Sequence, residues 1–451
     1  MRTPSRSPAD GARAPGRWSR LGATGLGAWL GGLIGGFLVV GVTLMLKAGM
    51  DLVAPQDTGL VVVVPLVGLG LAVLVLQGLG RSAAPARDGQ PSSSPAWRTF
   101  PRDAARADIS GDVVESAGQE ERFPWRLAPI RAVAILATVG LGAAMGTEAP
   151  AAYLGVAAGA CLGDRGQKWR RLLRPAALAG GAAGIGALMG IALVGTAFML
   201  EIGRRRRAPL SVERVLAALI GGFIGWGIDR TFGLSLIRLV VPREPPASFV
   251  QAAVTALFIG AASGAISSVA AMAVYRAKTS RACPALRFAL GGAATAATAL
   301  LLARIAAPSA AVGPGGGAIL WAESASAPPV TLLAVCLLRA AATTAAMAAG
   351  GCGGVFIPFL AVGDLAGRVF APALDVGNDL AGAAGAAGGI AGGYRLPFTA
   401  AAMVLGVGGP PRATLTCLAT IVVAASAGAS AQAVLEKLRL LLRPKRRASS
   451  H

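Results

Sequence analysis

The sequence predicts an all-α polytopic membrane protein in which tilted helices, several of them broken inside the bilayer, form two related repeats. Three observations carry that prediction. The chain is 54% hydrophobic and only 14% charged, and its uncharged stretches reach the length needed to cross a hydrocarbon core of roughly 30 Å. Glycine accounts for 63 of 451 residues, about twice the usual ~7%, and small residues let helix backbones approach closely in lipid. Several apolar segments are too short to span and are punctuated by Gly and Pro, as in broken helices whose ends line a cavity.

Residues 1–20 are rich in Pro, Ser and Arg and read as a disordered basic tail. Leu21–Leu46 is too long for a secretory leader and has no clear cleavage site, so it reads as a retained first span. Gly59–Gly80 is the second span, followed by a polar loop over 81–124 where Pro, Ser and charge converge. Leu127–Met145, Ala176–Leu200 and Phe249–Val274 read as further full spans. The membrane domain is expected over 21–435, with a first repeat at about 21–235 and a second at about 248–435. Residues 436–451 form a short basic tail, with no room for a soluble regulatory domain.

The formal charge is +21. The positive residues cluster between or beyond the spans, at Arg2–Arg20, Arg81–Arg106, Lys168–Arg174, Arg204–Arg207 and Lys437–Arg447. That pattern fits cytoplasmic loops touching anionic lipid, with both termini cytoplasmic. A nucleic-acid role is disfavoured, because no basic segment carries interleaved stacking aromatics. The five cysteines lack paired spacing and read as small membrane-embedded hydrophobes. The single histidine is the terminal His451, which removes histidine catalysis and histidine-based metal sites, and scarce aromatics argue against a haem or flavin cage. No cofactor or metal is expected.

Pro150–Gly163, Val355–Leu374 and Pro397–Val407 are the short segments. Two openings resemble each other: "GTEAPAAYLGVAAGACLG" and "GGVFIPFLAVGDLAGRVF", with Pro150 and Pro358 208 residues apart. A helix start carries unpaired N–H groups and about half a positive charge. Proline at the first helical position removes an N–H that has no helical partner anyway, and preceding glycines let the backbone come close to a ligand. Two such starts meeting inside the membrane make an anion site without a buried cation. Glu148 is the one charge in its stretch. A carboxylate there can occupy the anion site itself and leave on protonation; the blander reading is a glutamate that merely stabilises a helix start.

These residues resemble the CLC family of chloride channels and chloride/proton antiporters. Gly354-Val355-Phe356-Ile357-Pro358, with Gly363 and Gly367, resembles the family's G-x-F-x-P motif. Gly146-Thr147-Glu148-Ala149-Pro150, with Gly155, Gly159 and Gly163, resembles G-[KR]-E-G-P. "WRLAPIRAV", "VGPGGGAIL" and "AGGYRLPFTAAAMVLG" fall where the family has similar segments, so the likeness covers about Leu21–Leu435. The resemblance is to bacterial-type members without CBS domains and implies inverted repeats, a plasma-membrane location and a homodimer with a separate anion path in each subunit. It implies that Val355 and Phe356, after Gly354, offer backbone N–H groups to a central anion. Glu148 would be the gate, with Thr147 and Ala149 beside it.

The departures are specific. The family's G-S-G-I-P has no clean copy; ungapped spacing from Trp125 lands on Arg106–Ser110 and keeps only Ile109, while a three-residue slip makes Ser110 a candidate hydroxyl or an ordinary loop serine. The family's pore tyrosine is missing from the C-terminal end, where "GASAQAVLEKL" offers Gln432. Ile202 stands at the position of the inner proton-coupling glutamate, with Glu201 beside it. Asp364 occupies a small-residue position and reads either as a second proton group or as a satisfied polar residue. Thr147 replaces a basic residue.

The expected function is transmembrane movement of chloride or a similar small anion through a pore gated by Glu148, more channel-like than proton-coupled because of Ile202. The alternative is anion/proton antiport with Glu201 or Asp364 as relay. A third reading is a transport-inactive scaffold, kept by the eroded serine and tyrosine positions. An intramembrane enzyme is disfavoured: Asp364 lacks a partner aspartate segment, and no H-E-x-x-H helix or triad histidine exists.

Overall fold

The computed structural model describes residues 17–53, 58–82, 113, 123, 125–163, 170–205, 207–233, 246–407 and 415–442. Among these the regular elements are helices, and the one extended pairing is an isolated antiparallel bridge between Gly146 and Gly354. Among the described residues, seven helices are long and apolar enough to cross a membrane. They include α1 (Arg17–Val53) and α2 (Thr58–Ser82), which contain the first two expected spans.

Two expected spans are in fact broken. Leu127–Met145 begins as a turn at Trp125–Leu127 and α3 (Ala128–Ile135), widens into a π-helical turn at Leu136–Gly140, and ends there. Ala176–Leu200 is split between α5 (Arg170–Met189) and α6 (Ala192–Arg205). The split sits at Gly190, whose φ of +67° is a left-handed conformation that a side chain would strain. Hydropathy runs straight through both breaks, because the left-handed glycines beside them, Gly142 and Gly190, carry no charge to interrupt it.

The short segments form as expected, with one shift of register. Helix α4 (Glu148–Gly163) lies before α5, and α12 (Phe356–Phe370) has the corresponding place in the second half. Pro150 and Pro358 are therefore the third helical residues, not the first. The same reasoning survives, since all of the first four amides lack helical acceptors. Between them run α7 (Val212–Phe232), α8 (Phe249–Thr279, with a π turn at Thr255–Ile259), α9 (Pro284–Ile305), α10 (Gly316–Ser324) and α11 (Pro329–Ala349). After α12 come α13 (Asn378–Tyr394), α14 (Pro397–Val407) and α15 (Leu415–Leu441).

The repeat is visible in the register. Glu148 and Phe356, the starts of α4 and α12, are 208 residues apart, as are Arg170 and Asn378, the starts of α5 and α13. In the first half α4 packs on α5 with Gly155 against Gly180; in the second, α12 packs on α13 with Gly363 against Gly385. A side chain at any of these four glycines would run into the facing backbone. Where lipid tails are as apolar as leucine, such close approach supplies the packing contacts that hold helices together. Phe356–Arg368 is buried without interruption, so α12 lies at the centre of the molecule.

Candidate functional site

The starts of α4 and α12 meet. Gly146 N–H donates to the Gly354 carbonyl at 2.7 Å, and Gly354 N–H returns the bond to Gly146 at 2.8 Å. One residue further, the Thr147 carbonyl accepts the first helical bond of α4 from Ala151 N–H at 2.9 Å. The Val355 carbonyl does the same for Phe359 at 3.1 Å in α12. Two helix N-termini, with their unpaired amides and positive dipole ends, thus converge on one buried spot.

Glu148 fills that spot. Its side chain is 1% exposed, and Oε1 accepts a 2.8 Å hydrogen bond from Ile357 N–H in the first turn of α12. The other oxygen, Oε2, is buried without a hydrogen-bond partner among the described residues. Gly146 and Gly354 make room for the carboxylate, since a Cβ on either would collide with it. The arrangement is a helix cap supplied from the other half of the chain, a glutamate of one repeat seated on the N-terminus of its counterpart.

The neighbours expected around Glu148 are present. Thr147 and Ala149 are both buried, and the Thr147 Oγ1 has no hydrogen-bond partner among the described residues. Val355 and Phe356 stand at the start of α12, after Gly354. The Val355 N–H is directed at the Tyr394 hydroxyl, 3.4 Å away. The Tyr394 ring packs on Phe356 and Phe359, with centroids 5.1 and 5.9 Å apart, and Phe198 of α6 meets Phe356 edge-on.

Tyr394 and Ile357 were missed in the sequence. The tyrosine was sought near the C-terminal end, whereas it arrives from the end of α13. Tertiary packing brings it there: α12 and α13 form an antiparallel pair in which Gly367 faces Ala381 and Gly363 faces Gly385. Continuing that register returns Tyr394 to Val355. Arg339 of α11 was also missed; it is 1% exposed and donates to the carbonyls of Ala310, Ala311 and Gly313 at 2.7–3.3 Å. Gly313 N–H in turn donates to the Gly142 carbonyl at 2.8 Å, tying the segment to the loop before α4.

The two candidate relay carboxylates lie elsewhere and are engaged. Glu201 caps α14: Oε1 accepts from Phe398 N–H at 3.1 Å, and Oε2 accepts from Thr399 N–H at 2.7 Å and from Thr399 Oγ1 at 2.5 Å. Ile202, the next residue, is buried. Asp364 is buried in α12 and accepts from Arg368 Nε at 2.7 Å, one helical turn along. The same guanidinium reaches Glu323 at 3.4 Å and Asp379 at 3.9 Å. Of the two readings of Asp364, the geometry is that of a satisfied polar residue. Ser110 lies outside the described residues, and no group of three or more metal-ligating side chains occurs among those described.

A family profile described as voltage gated chloride channel matches residues 93–429. No curated protein sequence matches the chain. Among solved structures, a CLC-type fluoride/proton antiporter aligns with a TM-score of 0.70 at 19% identity, covering 93% of this chain and 98% of its own. A slow cyanobacterial Cl⁻/H⁺ antiporter aligns at 0.63 with 20% identity, over 93% and 99%. A eukaryotic CLC transporter aligns at 0.65 with 16% identity, over 93% of this chain and 74% of that one. At these identities the structures speak for the fold.

Proposed function

Since the chain belongs to the voltage-gated chloride channel (CLC) family, we propose that it moves chloride or a similar small anion across the membrane, with Glu148 as the gate. The observation that carries this reading is the Glu148 carboxylate on the Ile357 amide. An anionic group already occupies the place where two helix starts meet, so a permeating anion must compete with it for the same amides. Protonation neutralises the glutamate, weakens its charge-assisted bond to the helix and frees the site. Val355, Phe356, Thr147 and Ala149 would then face the anion, with the Tyr394 hydroxyl alongside. Each subunit of a homodimer would hold one such path.

Conduction without fixed proton coupling is favoured over antiport. Both candidate relays are otherwise employed, Glu201 in capping α14 and Asp364 in an ion pair with Arg368. Antiport is the second reading, supported by the two solved relatives described as antiporters. Reconstituted vesicles decide between them when chloride efflux and proton uptake are followed together. Chloride movement with no uphill proton transport is expected; proton pumping at a constant ratio to chloride would sink the uncoupled reading. A flux no greater than that of empty liposomes would favour the inactive scaffold.

A further inference from the structure

One concave surface lies apart from the anion site. A groove of about 780 Å³ opens between α8, α9, α11 and the end of α15, within the ~300–1,000 Å³ range of small-molecule pockets. Ile266, Val269 and Ala273 form one wall, Leu290 a second, and Leu337 and Ala341 a third. Thr344 brings a hydroxyl to the lining, but it is turned back onto its own helix, donating to the Ala340 carbonyl at 2.9 Å. All four helices are long and apolar enough to cross a membrane, and Val269, Leu290 and Leu337 are more than half exposed. The groove is therefore a surface for hydrocarbon.

Its chemistry changes at one end. Arg287 donates to the carbonyl of the groove residue Ala348 at 3.1 Å, and to those of Met347 and Ala277 at 3.3 and 3.4 Å. Those bonds bring the end of α8, the start of α9 and the end of α11 together. The junction also carries Arg276 and the exposed Arg281, and beyond Leu435 the last turns of α15 carry the exposed Lys437 and Arg439. The nearby acid, Glu436, is engaged by Arg395. Tyr275, 65% exposed, stands at the same end, where interfacial aromatics gather in membrane proteins. The result is an apolar trough capped by positive charge.

We propose that this groove binds one anionic phospholipid, with an acyl chain along the trough and the phosphate headgroup on Arg276, Arg281 and the basic end of α15. A tail gains little from apolar walls over bulk lipid, so selection must come from the headgroup, which basic residues at the membrane surface attract. The groove fixes where the lipid lies, and the charge fixes which lipid it is.

Native mass spectrometry of the full-length protein, released from mild detergent with added phosphatidylglycerol or phosphatidylcholine of matched chains, tests this. Phosphatidylglycerol should be retained about tenfold better, as expected for two or more basic contacts. Arg276→Glu combined with Arg281→Glu should erase the preference, and Ala341→Trp, which fills the trough, should lower retention with the charges intact. Equal retention of both lipids overturns the proposal, as does a preference that survives the double charge reversal. Because the reversed arginines lie at the surface, that variant reads the headgroup contact even if the tryptophan variant fails to fold.

Discussion

The Glu148 carboxylate has one oxygen on the Ile357 amide and one with no hydrogen-bond partner among the described residues, and this asymmetry sets what protonation does. A proton on the carboxyl removes the charge that makes the amide bond strong, a difference of about 1 kcal/mol or more between charged and neutral acceptors. Anion flux should therefore rise as pH falls. In Glu148→Gln the flux should be high and flat between pH 4.5 and pH 7.5 (assay conditions chosen about the carboxylate range), measured by chloride efflux from vesicles; a slope equal to wild type would remove Glu148 from the gate. Tyr394→Phe keeps the ring on Phe356 and Phe359 and deletes only the hydroxyl beside the Val355 amide. Losing one such contact, worth about 0.5–1.5 kcal/mol, should shift apparent chloride affinity by roughly 2–10-fold. Isothermal titration with chloride would read that shift.

At the scale of elements, the capping of α14 by Glu201 separates a structural role from a relay. Glu201→Ala leaves the Phe398 and Thr399 amides without their side-chain acceptor, and loss of a helix cap typically costs about 0.5–2 kcal/mol. Its thermal unfolding in detergent should occur at lower temperature, while Glu201→Gln, which keeps one carbonyl acceptor, should be less affected. If instead both variants leave stability unchanged and alter proton movement, Glu201 is a relay. The α12–α13 pair makes a second test. Gly363 meets the Gly385 backbone directly, so Gly363→Leu must push the two helices apart. Overpacking typically costs about 1–3 kcal/mol, and here the displaced element also carries Val355 and Tyr394. Folded yield by size exclusion should fall sharply, and any folded remainder should show altered anion affinity.

Across the whole molecule, the two halves contribute different parts to one site. The first supplies the Glu148 carboxylate and the second supplies the Ile357 amide that donates to it, with Gly146 and Gly354 bridged between them. Arg339 adds a buried positive charge held by carbonyls of the second half, which costs desolvation and contributes a positive field within the protein. Replacing it with leucine should lower chloride conductance at a given concentration as well as stability, while Arg339→Lys should recover part of the conductance; planar bilayer recording would measure both.

Much of the fold could be read from composition and spacing alone. Hydropathy marks α1, α2 and α8, and the recurrence of Gly-x-x-x-Pro 208 residues apart locates α4 and α12 and the glycines of their packing faces. These are properties of the chain's own local pattern in a solvent that leaves backbone groups no partner but the helix. The breaks at Gly140 and Gly190 escaped, since an apolar glycine does not interrupt a hydropathy window. The detail of the site escaped for another reason. Which amide Glu148 caps, how Tyr394 comes to Val355, and what Glu201 and Asp364 are bonded to all depend on contacts between residues far apart in the chain. Glu148 and Ile357 are separated by 209 residues, and Glu201 and Thr399 by 198. Sequence by itself determined an all-α membrane protein with two short, Gly/Pro-started helices 208 residues apart and a glutamate at the first. Tertiary structure decided that the glutamate sits on the second helix, because only the packing of one repeat against the other brings that amide within hydrogen-bond reach.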